Sequence, residues 1–231
     1  MTAVNWAERR AVLFDLDGVV TPTATVHLRA WEVMFNEFLA SHDPTQPPFT
    51  TADYHAYVDG KPRYDGVRSF LASRDIALSE EEVIELGDRK NVAFNQVLEA
   101  EGVEPYPGSV LLLDHLGALG VPMAVVSSSA NAVPVLTRTG LLGRFAAVVD
   151  GVVAKAESLP GKPHPDTFLY GARLLGASAA ESVVLEDAVS GVAAGRAGEF
   201  GLVIGVDRGA GVPALTEAGA DVVVADLAEL V

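Results

Sequence analysis

Two aspartates separated by one residue, Asp15 and Asp17, close a short apolar run beginning at Ala11, and Gly18 follows at once. A run of this kind suits a strand buried in a parallel sheet, and open α/β sheets place their chemistry at the carboxyl ends of such strands. Both carboxylates would fall there, which makes the pair the candidate reaction centre. An Asp-Gly step also ends many ordinary strands as a plain turn, so the assignment depends on what the rest of the chain places beside it.

Three further segments end in polar groups at comparable positions. The apolar run at 122–126 leads into Ser127-Ser128-Ser129-Ala130-Asn131, whose hydroxyls and amides at an expected helix start can hold an anion. Gly161-Lys162-Pro163-His164-Pro165 sets a lysine between rigid turn residues ahead of an amphipathic stretch, 166–175. A short strand at 182–185 ends in Glu186-Asp187. This set has a physical logic for a phosphate ester. A carboxylate approaching a phosphoryl group meets like-charge repulsion, so a cation and fixed donors must be in place first. Mg²⁺ suits that task because it prefers carboxylates, phosphate oxygens and water. The candidate ligands are Asp15 and Asp187, with Glu186 in or beside the shell and Asp17 in the same cluster. Lys162 and Ser127 would neutralise the remaining phosphoryl oxygens, and Asp17 would serve as general acid/base.

In these residues the chain resembles the haloacid dehalogenase superfamily. Asp15-Leu16-Asp17-Gly18 corresponds to the nucleophile motif, Ser127 to the second motif, Lys162 to the third and Glu186-Asp187 to the fourth. The resemblance implies an aspartyl-phosphate mechanism with Asp15 as nucleophile and Mg²⁺ as cofactor.

Composition narrows the partners. With 231 residues, 49% of them hydrophobic, the chain can bury a large core, as one domain or as a core with a smaller insertion. It contains no cysteine, which excludes disulfides and thiolate chemistry and fits a cytoplasmic setting. No signal peptide or membrane anchor is visible, and no apolar stretch reaches membrane-spanning length. A formal net charge of −15 opposes binding to nucleic acid or anionic membranes. A small phosphorylated substrate remains compatible, since a few cations in a cleft can attract it against the global field.

The elements that must position these residues follow from periodicity. After Gly18 the pattern turns helical at 24–40, passes a loop with three prolines at 41–49, and resumes as helix at 65–73 and again after Ser79, where Ser79 and Glu82 form a capping box. Strands are expected at 121–126, 146–149, 183–185, 202–206 and 222–224, alternating with helices. The expected fold class is therefore α/β, a Rossmann-like doubly wound parallel sheet core with an inserted all-α helical cap domain. The expected core is 1–21 with 101–231, and the cap 22–100. The glycines at 209 and 211 mimic a dinucleotide fingerprint, but Pro213 interrupts the region where phosphate-binding amides would be needed.

The inserted helices bring the resemblance closer to β-phosphoglucomutase and its sugar-phosphatase relatives. The stretch from Thr21 to Trp31, with His27, looks like that family's hinge; Gly60-Lys61-Pro62-Arg63 looks like its substrate loop, and Asp88-Arg89-Lys90-Asn91 its cap lysine segment. The resemblance implies substrate-binding roles for His27, Trp31, Gly60, Lys61, Arg63 and Lys90 from the cap, and for Ser128, Ser129 and Asn131 from the core. It also implies interconversion of β-D-glucose 1-phosphate and glucose 6-phosphate through glucose 1,6-bisphosphate, which would also act as primer. Arg63 suits the second phosphate because its planar fork binds phosphate bidentately. Plainer readings stand beside these: His27 as a packed helix residue, Lys90 and Arg63 as solvated surface cations, Trp31 as cap core. Pro22 and Asp59 depart from the family pattern, which expects an acid at the first position and can show a lysine at the second. Two other functions stay open, a sugar-phosphate phosphatase and a catalytically silent binder, although the presence of Asp15, Asp17, Ser127, Lys162 and Asp187 disfavours the last.

Overall fold

The computed structural model describes residues 4–231; the first three residues of the expected core segment lie outside them. Six short strands, β1 (Ala11–Phe14), β2 (Met123–Val126), β3 (Ala147–Val149), β4 (Ser182–Glu186), β5 (Leu202–Val206) and β6 (Val222–Val224), form one sheet in the order β3-β2-β1-β4-β5-β6. Every pairing is parallel. Residues of β1, β2 and β4 are buried throughout, as continuous apolar runs in a sheet covered on both faces require. Alternation along β1 splits the core. Val12 and Phe14 join a cluster with Leu112, Leu113 and Leu116 of α5 (Pro107–Ala118), whereas Leu13 joins Phe168 of α8 (Asp166–Leu174) and Val192 of α9 (Val189–Ala197) on the other face.

Between β1 and β2 the chain is helical: α1 (Thr23–His42), α2 (Thr51–Asp53) running into a π turn at Tyr54–Val58, α3 (Arg63–Ser73) and α4 (Glu80–Glu101). These elements have an apolar cluster of their own, built on Trp31, Phe35, Phe49 and Phe70. The ends of α1 and α4 nearest the sheet contribute Val26, Ala30, Phe94 and Leu98 to the sheet's cluster instead, so the two long helices tie the insertion to the core. The Ser79–Glu82 capping box opens α4 as expected. The turn at 54–58 was not expected. Only the start of that segment carries a local signal, the capping box between Thr50 and Asp53.

The remaining helices are α6 (Ala132–Arg138), α7 (Gly151–Ala156) and α10 (Val212–Ala218). Helix α6 starts after the serine cluster, so Ser127 to Asn131 form a loop and not a first helical turn. The glycine run after β5 holds no phosphate cradle, because the amides of Gly209 and Gly211 both donate to Asp207 Oδ1 at 3.0 Å. Among the described residues, no helix is long and apolar enough to cross a membrane.

Candidate active site

The strand order reverses direction around β1, and ligands of open parallel sheets bind in the crevice at such a point. Here β1 lies between β2 and β4, and the three deliver Asp15, Ser127 and Glu186-Asp187 to one edge. Lys162 reaches the same place from the loop before α8. Its Nζ donates to Asp15 Oδ1 at 2.5 Å, to Glu186 Oε1 at 2.6 Å and to the carbonyl of Val126 at 3.1 Å. Burial disfavours the lysine's charge, but Asp15 and Glu186 outweigh it and push its pKa above the usual lysine range. Glu186 is completely buried, and its second oxygen accepts the amide of Ala188 at 2.8 Å. Both of its oxygens are thus engaged, which makes it a holder of Lys162. Asp15 keeps one oxygen without a donor among the described residues, and burial, opposed by Lys162, pushes its pKa up.

Asp17 faces the inserted helices. Thr23 Oγ1 donates to its Oδ1 at 2.5 Å and Ser127 Oγ to its Oδ2 at 3.2 Å. His27 Nε2 lies 3.3 Å from Oδ1, misaligned for a hydrogen bond. Burial alone would raise the Asp17 pKa, but His27, Thr23 and Lys90 overcome it and hold it at about 2. Beyond His27, which stacks on Phe94 with ring centres 4.1 Å apart, Lys90 Nζ approaches Nδ1 at 2.5 Å and sits 4.8 Å above the Trp31 ring. Burial lowers the Lys90 pKa to about 7, and His27 is lowered by burial and by Lys90. A chain of polar groups therefore runs from Asp17 into the cap.

Asp187 differs from its neighbours. It is buried, no side-chain donor or cation pairs with it among the described residues, and burial with Asp59, Glu186 and Asp15 nearby pushes its pKa up. Gly18 gives it room: a Cβ there would lie 1.9 Å from Asp187 Oδ2, and φ of +90° is open to glycine. Two buried carboxylates without full compensation, Asp15 and Asp187, are the chemistry a divalent cation would complete. No group of three or more acidic or histidine side chains among the described residues is close enough to grip a metal by itself. Mg²⁺ can bind through one or two carboxylates and take its other ligands from water and phosphate.

A cavity of about 320 Å³ opens onto Asp15 and Asp17 and runs under the cap, within the size range of small-molecule sites. It is closed on the cap side by the loop at Asp59 and Gly60. Ser128 Oγ donates to the Gly60 carbonyl at 2.7 Å, and Ser190 Oγ, from the start of α9, donates to the Asp59 carbonyl at 2.9 Å. Two adjacent carbonyls of the cap are thus held from opposite sides by the core. A third bridge joins Asn131 Nδ2 to Asn91 Oδ1 at 2.8 Å. Gly60 has φ of +71°, and a Cβ on it would stand 2.3 Å from Ser190 Oγ.

All the cap residues singled out from sequence line this cavity: His27, Trp31, Gly60, Lys61, Arg63 and Lys90. Several are already engaged. Arg63 donates to Asp88 Oδ1 at 3.2 Å and to Asn91 Oδ1 at 2.8 Å, and Lys61 donates to Ser69 Oγ at 2.7 Å. Trp31 is both wall and core, since it stacks on Phe35 at 5.2 Å. From the core, Ser128, Ser129 and Asn131 line the cavity, with the Ser129 amide donating to Ser127 Oγ and the Asn131 amide to Ser129 Oγ. Sequence reasoning missed Thr23, Ser190 and Lys155 as site-forming residues and gave Asn91 no role of its own. Only Thr23 carried a signal, its spacing within the hinge after Asp17. Asp59, read as a departure, carries one of the two carbonyls in the closure; its carboxylate pairs with His55 Nδ1 at 3.0 Å.

A buried aspartate held by a lysine at the end of the first strand, with acids from the fourth beside it, defines a class. The chain belongs to the haloacid dehalogenase-like hydrolase family, which it matches over residues 9–198. It is 48% identical to a β-phosphoglucomutase of Mycobacterium bovis, an alignment that covers 96% of this chain and 91% of that one. It is 31% identical to hexitol phosphatase A of Escherichia coli, over 90% and 88% of the two chains. Among solved structures, a β-phosphoglucomutase from Clostridium difficile superposes with a TM-score of 0.80 at 25% identity, covering 96% of this chain and 93% of that one.

Proposed function

We propose that this enzyme interconverts β-D-glucose 1-phosphate and glucose 6-phosphate, with Asp15 carrying the phosphoryl group between two half-reactions and glucose 1,6-bisphosphate as intermediate and primer. The similarity to β-phosphoglucomutases supports the reaction. The observation that carries it is one cavity lined both by Asp15, which Lys162 holds, and by further phosphate-binding groups, Arg63 from the cap and Ser129 and Asn131 from the core. A sugar bisphosphate that turns end for end needs an anion site at both.

In this reading Asp15 attacks the phosphoryl group through the oxygen that Lys162 does not hold, while Lys162 offsets negative charge as it develops. Asp17, ionised at rest, is ready as the base for a sugar hydroxyl attacking the phosphoaspartate. It returns that proton to the departing sugar oxygen in the other half-reaction. Ser127 and Thr23 fix its carboxylate, and His27 with Lys90 connects it to cap closure. Mg²⁺ would be held by Asp15 and Asp187, with Asp17 in the same cluster, and would supply charge neutralisation between carboxylate and phosphate. Residues 22–100 act as the cap that selects the sugar. The acidic surface and the lack of cysteine fit a cytoplasmic enzyme acting on a small sugar phosphate, without nucleic-acid or membrane partners.

The likeness to a hexitol phosphatase supports a second reading, hydrolysis of the same phosphoaspartate by water. Mass spectrometry of the acid-quenched enzyme after mixing with a sugar bisphosphate tests the shared step. Phosphate is expected on Asp15 and absent in Asp15→Asn; label on Asp17 or on a serine would overturn the assignment.

A further inference from the structure

We infer that Lys155, which lies outside every motif read from the sequence, is the core's cation for the second phosphate of the sugar substrate; this rests on the sugar-bisphosphate reading above. Lys155 lines the catalytic cavity together with Arg63, Ser129 and Asn131. Its helix, α7, is fixed tightly against their loop. Asp150 Oδ1 accepts the amides of Val152 and Val153, and the Gly151 amide donates to the Ser129 carbonyl at 3.1 Å. A Cβ at Gly151 would stand 2.9 Å from the Ser128 carbonyl oxygen and 3.1 Å from the Ala130 amide nitrogen, so this turn lies flush on the serine loop.

Lys155 is four residues further on, on the same face of the helix as Gly151. Helical side chains lean back toward the helix N-terminus, which carries the lysine stem toward the turn at Gly151 and the serine loop packed on it, and Gly151, Val152 and Lys155 all line the cavity.

The other cations at or beside the cavity are committed. Lys162 holds Asp15 and Glu186, Lys90 meets His27, Lys61 holds Ser69, and Arg63 holds Asp88 and Asn91. Lys155 has no hydrogen bond or ion pair among the described residues. A phosphate entering between Arg63 and Lys155 would be gripped by the cap on one side and the core on the other. A sugar phosphate bound with a phosphate away from Asp15 gains this contact, the bisphosphate and the monophosphate that accepts the phosphoryl group alike, and inorganic phosphate at Asp15 does not, which makes Lys155 a specificity-determining residue for sugar phosphates.

The test compares two ligands by calorimetry in the Asp15→Asn protein, which cannot turn them over: glucose 1,6-bisphosphate and inorganic phosphate. Adding Lys155→Gln should reduce the affinity ratio, bisphosphate over phosphate, by about ten- to a hundredfold, the range for a hydrogen bond to a charged group. Lys155→Arg should restore most of it. A ratio unchanged within about twofold, or an equal loss for both ligands, overturns the inference and leaves the catalytic reading standing. If the Asp15→Asn parent itself shows no preference for the bisphosphate, the sugar-bisphosphate reading fails, and the role of Lys155 with it.

Discussion

Removing both hydroxyls that hold the cap loop should open the enzyme. In this structure Ser128, in the loop after β2, and Ser190, at the start of α9, donate to the carbonyls of Gly60 and Asp59 at 2.7 and 2.9 Å. When the cap swings away, water replaces these donors, so each bond favours closure by only its net worth, about 0.5–1.5 kcal/mol. Losing both shifts the balance between open and closed forms by ~1–3 kcal/mol, or roughly 5- to 150-fold. Ser128→Ala with Ser190→Ala should therefore show a larger radius of gyration by small-angle X-ray scattering in the free protein, and a weaker apparent affinity for glucose 1,6-bisphosphate. Ser190 does not line the cavity, so Ser190→Ala alone separates closure from substrate contact. Gly60→Ala should act in the same direction, because its Cβ would meet Ser190 Oγ and the left-handed backbone adds ~1–2 kcal/mol of strain. Unchanged scattering and affinity in the double variant would refute the idea that these bonds hold the cap.

Three further outcomes follow from the site. Asp17→Asn should slow turnover of sugar phosphates by ~10²–10⁴, the usual worth of general acid–base catalysis, while aryl phosphates with good leaving groups lose much less; equal losses would contradict the proton-transfer role. Asp187→Ala should raise the Mg²⁺ concentration for half-maximal activity far more than Lys162→Ala does, and matching activation curves would count against Asp187 as a ligand. Burial lowers the Lys90 pKa from 10.5 to about 7, so between those values the unfolded chain holds a proton that the folded one lacks, and stability rises with pH across that window. Lys90→Met should consequently raise the thermal midpoint at pH 7, with an advantage that shrinks toward pH 9; an advantage independent of pH would mean that desolvation of the lysine is not the cause.

What the sequence revealed and what it hid follow from how local each signal is. Strands β1, β2 and β4 were legible because a parallel strand buried on both faces is a bare apolar run, and the residues after such runs, Asp15, Ser127 and Glu186-Asp187, are the ones that converge. The capping box at Ser79 was legible for the same reason, as it spans only four residues. The division of labour among the acids was not. Only the fold shows that Glu186 is engaged by Lys162 and by its own downstream amide while Asp187 is left unpaired. The closure of the cap was also hidden, since Ser190 and Asp59 are 131 residues apart and a lone serine at a helix start is normally a surface residue. Lys155 carried no signal at all; its place depends on Gly151 lying flat against a loop from another strand.

The central claim is that phosphate leaves C1 of the sugar and returns at C6. The most direct test is a phosphorus NMR time course with β-D-glucose 1-phosphate, Mg²⁺ and a trace of glucose 1,6-bisphosphate. The account predicts that the substrate resonance falls as glucose 6-phosphate rises in equal measure, with the bisphosphate at a low steady level. Inorganic phosphate rising in place of glucose 6-phosphate would contradict the mutase account and leave a phosphatase built on the same aspartate.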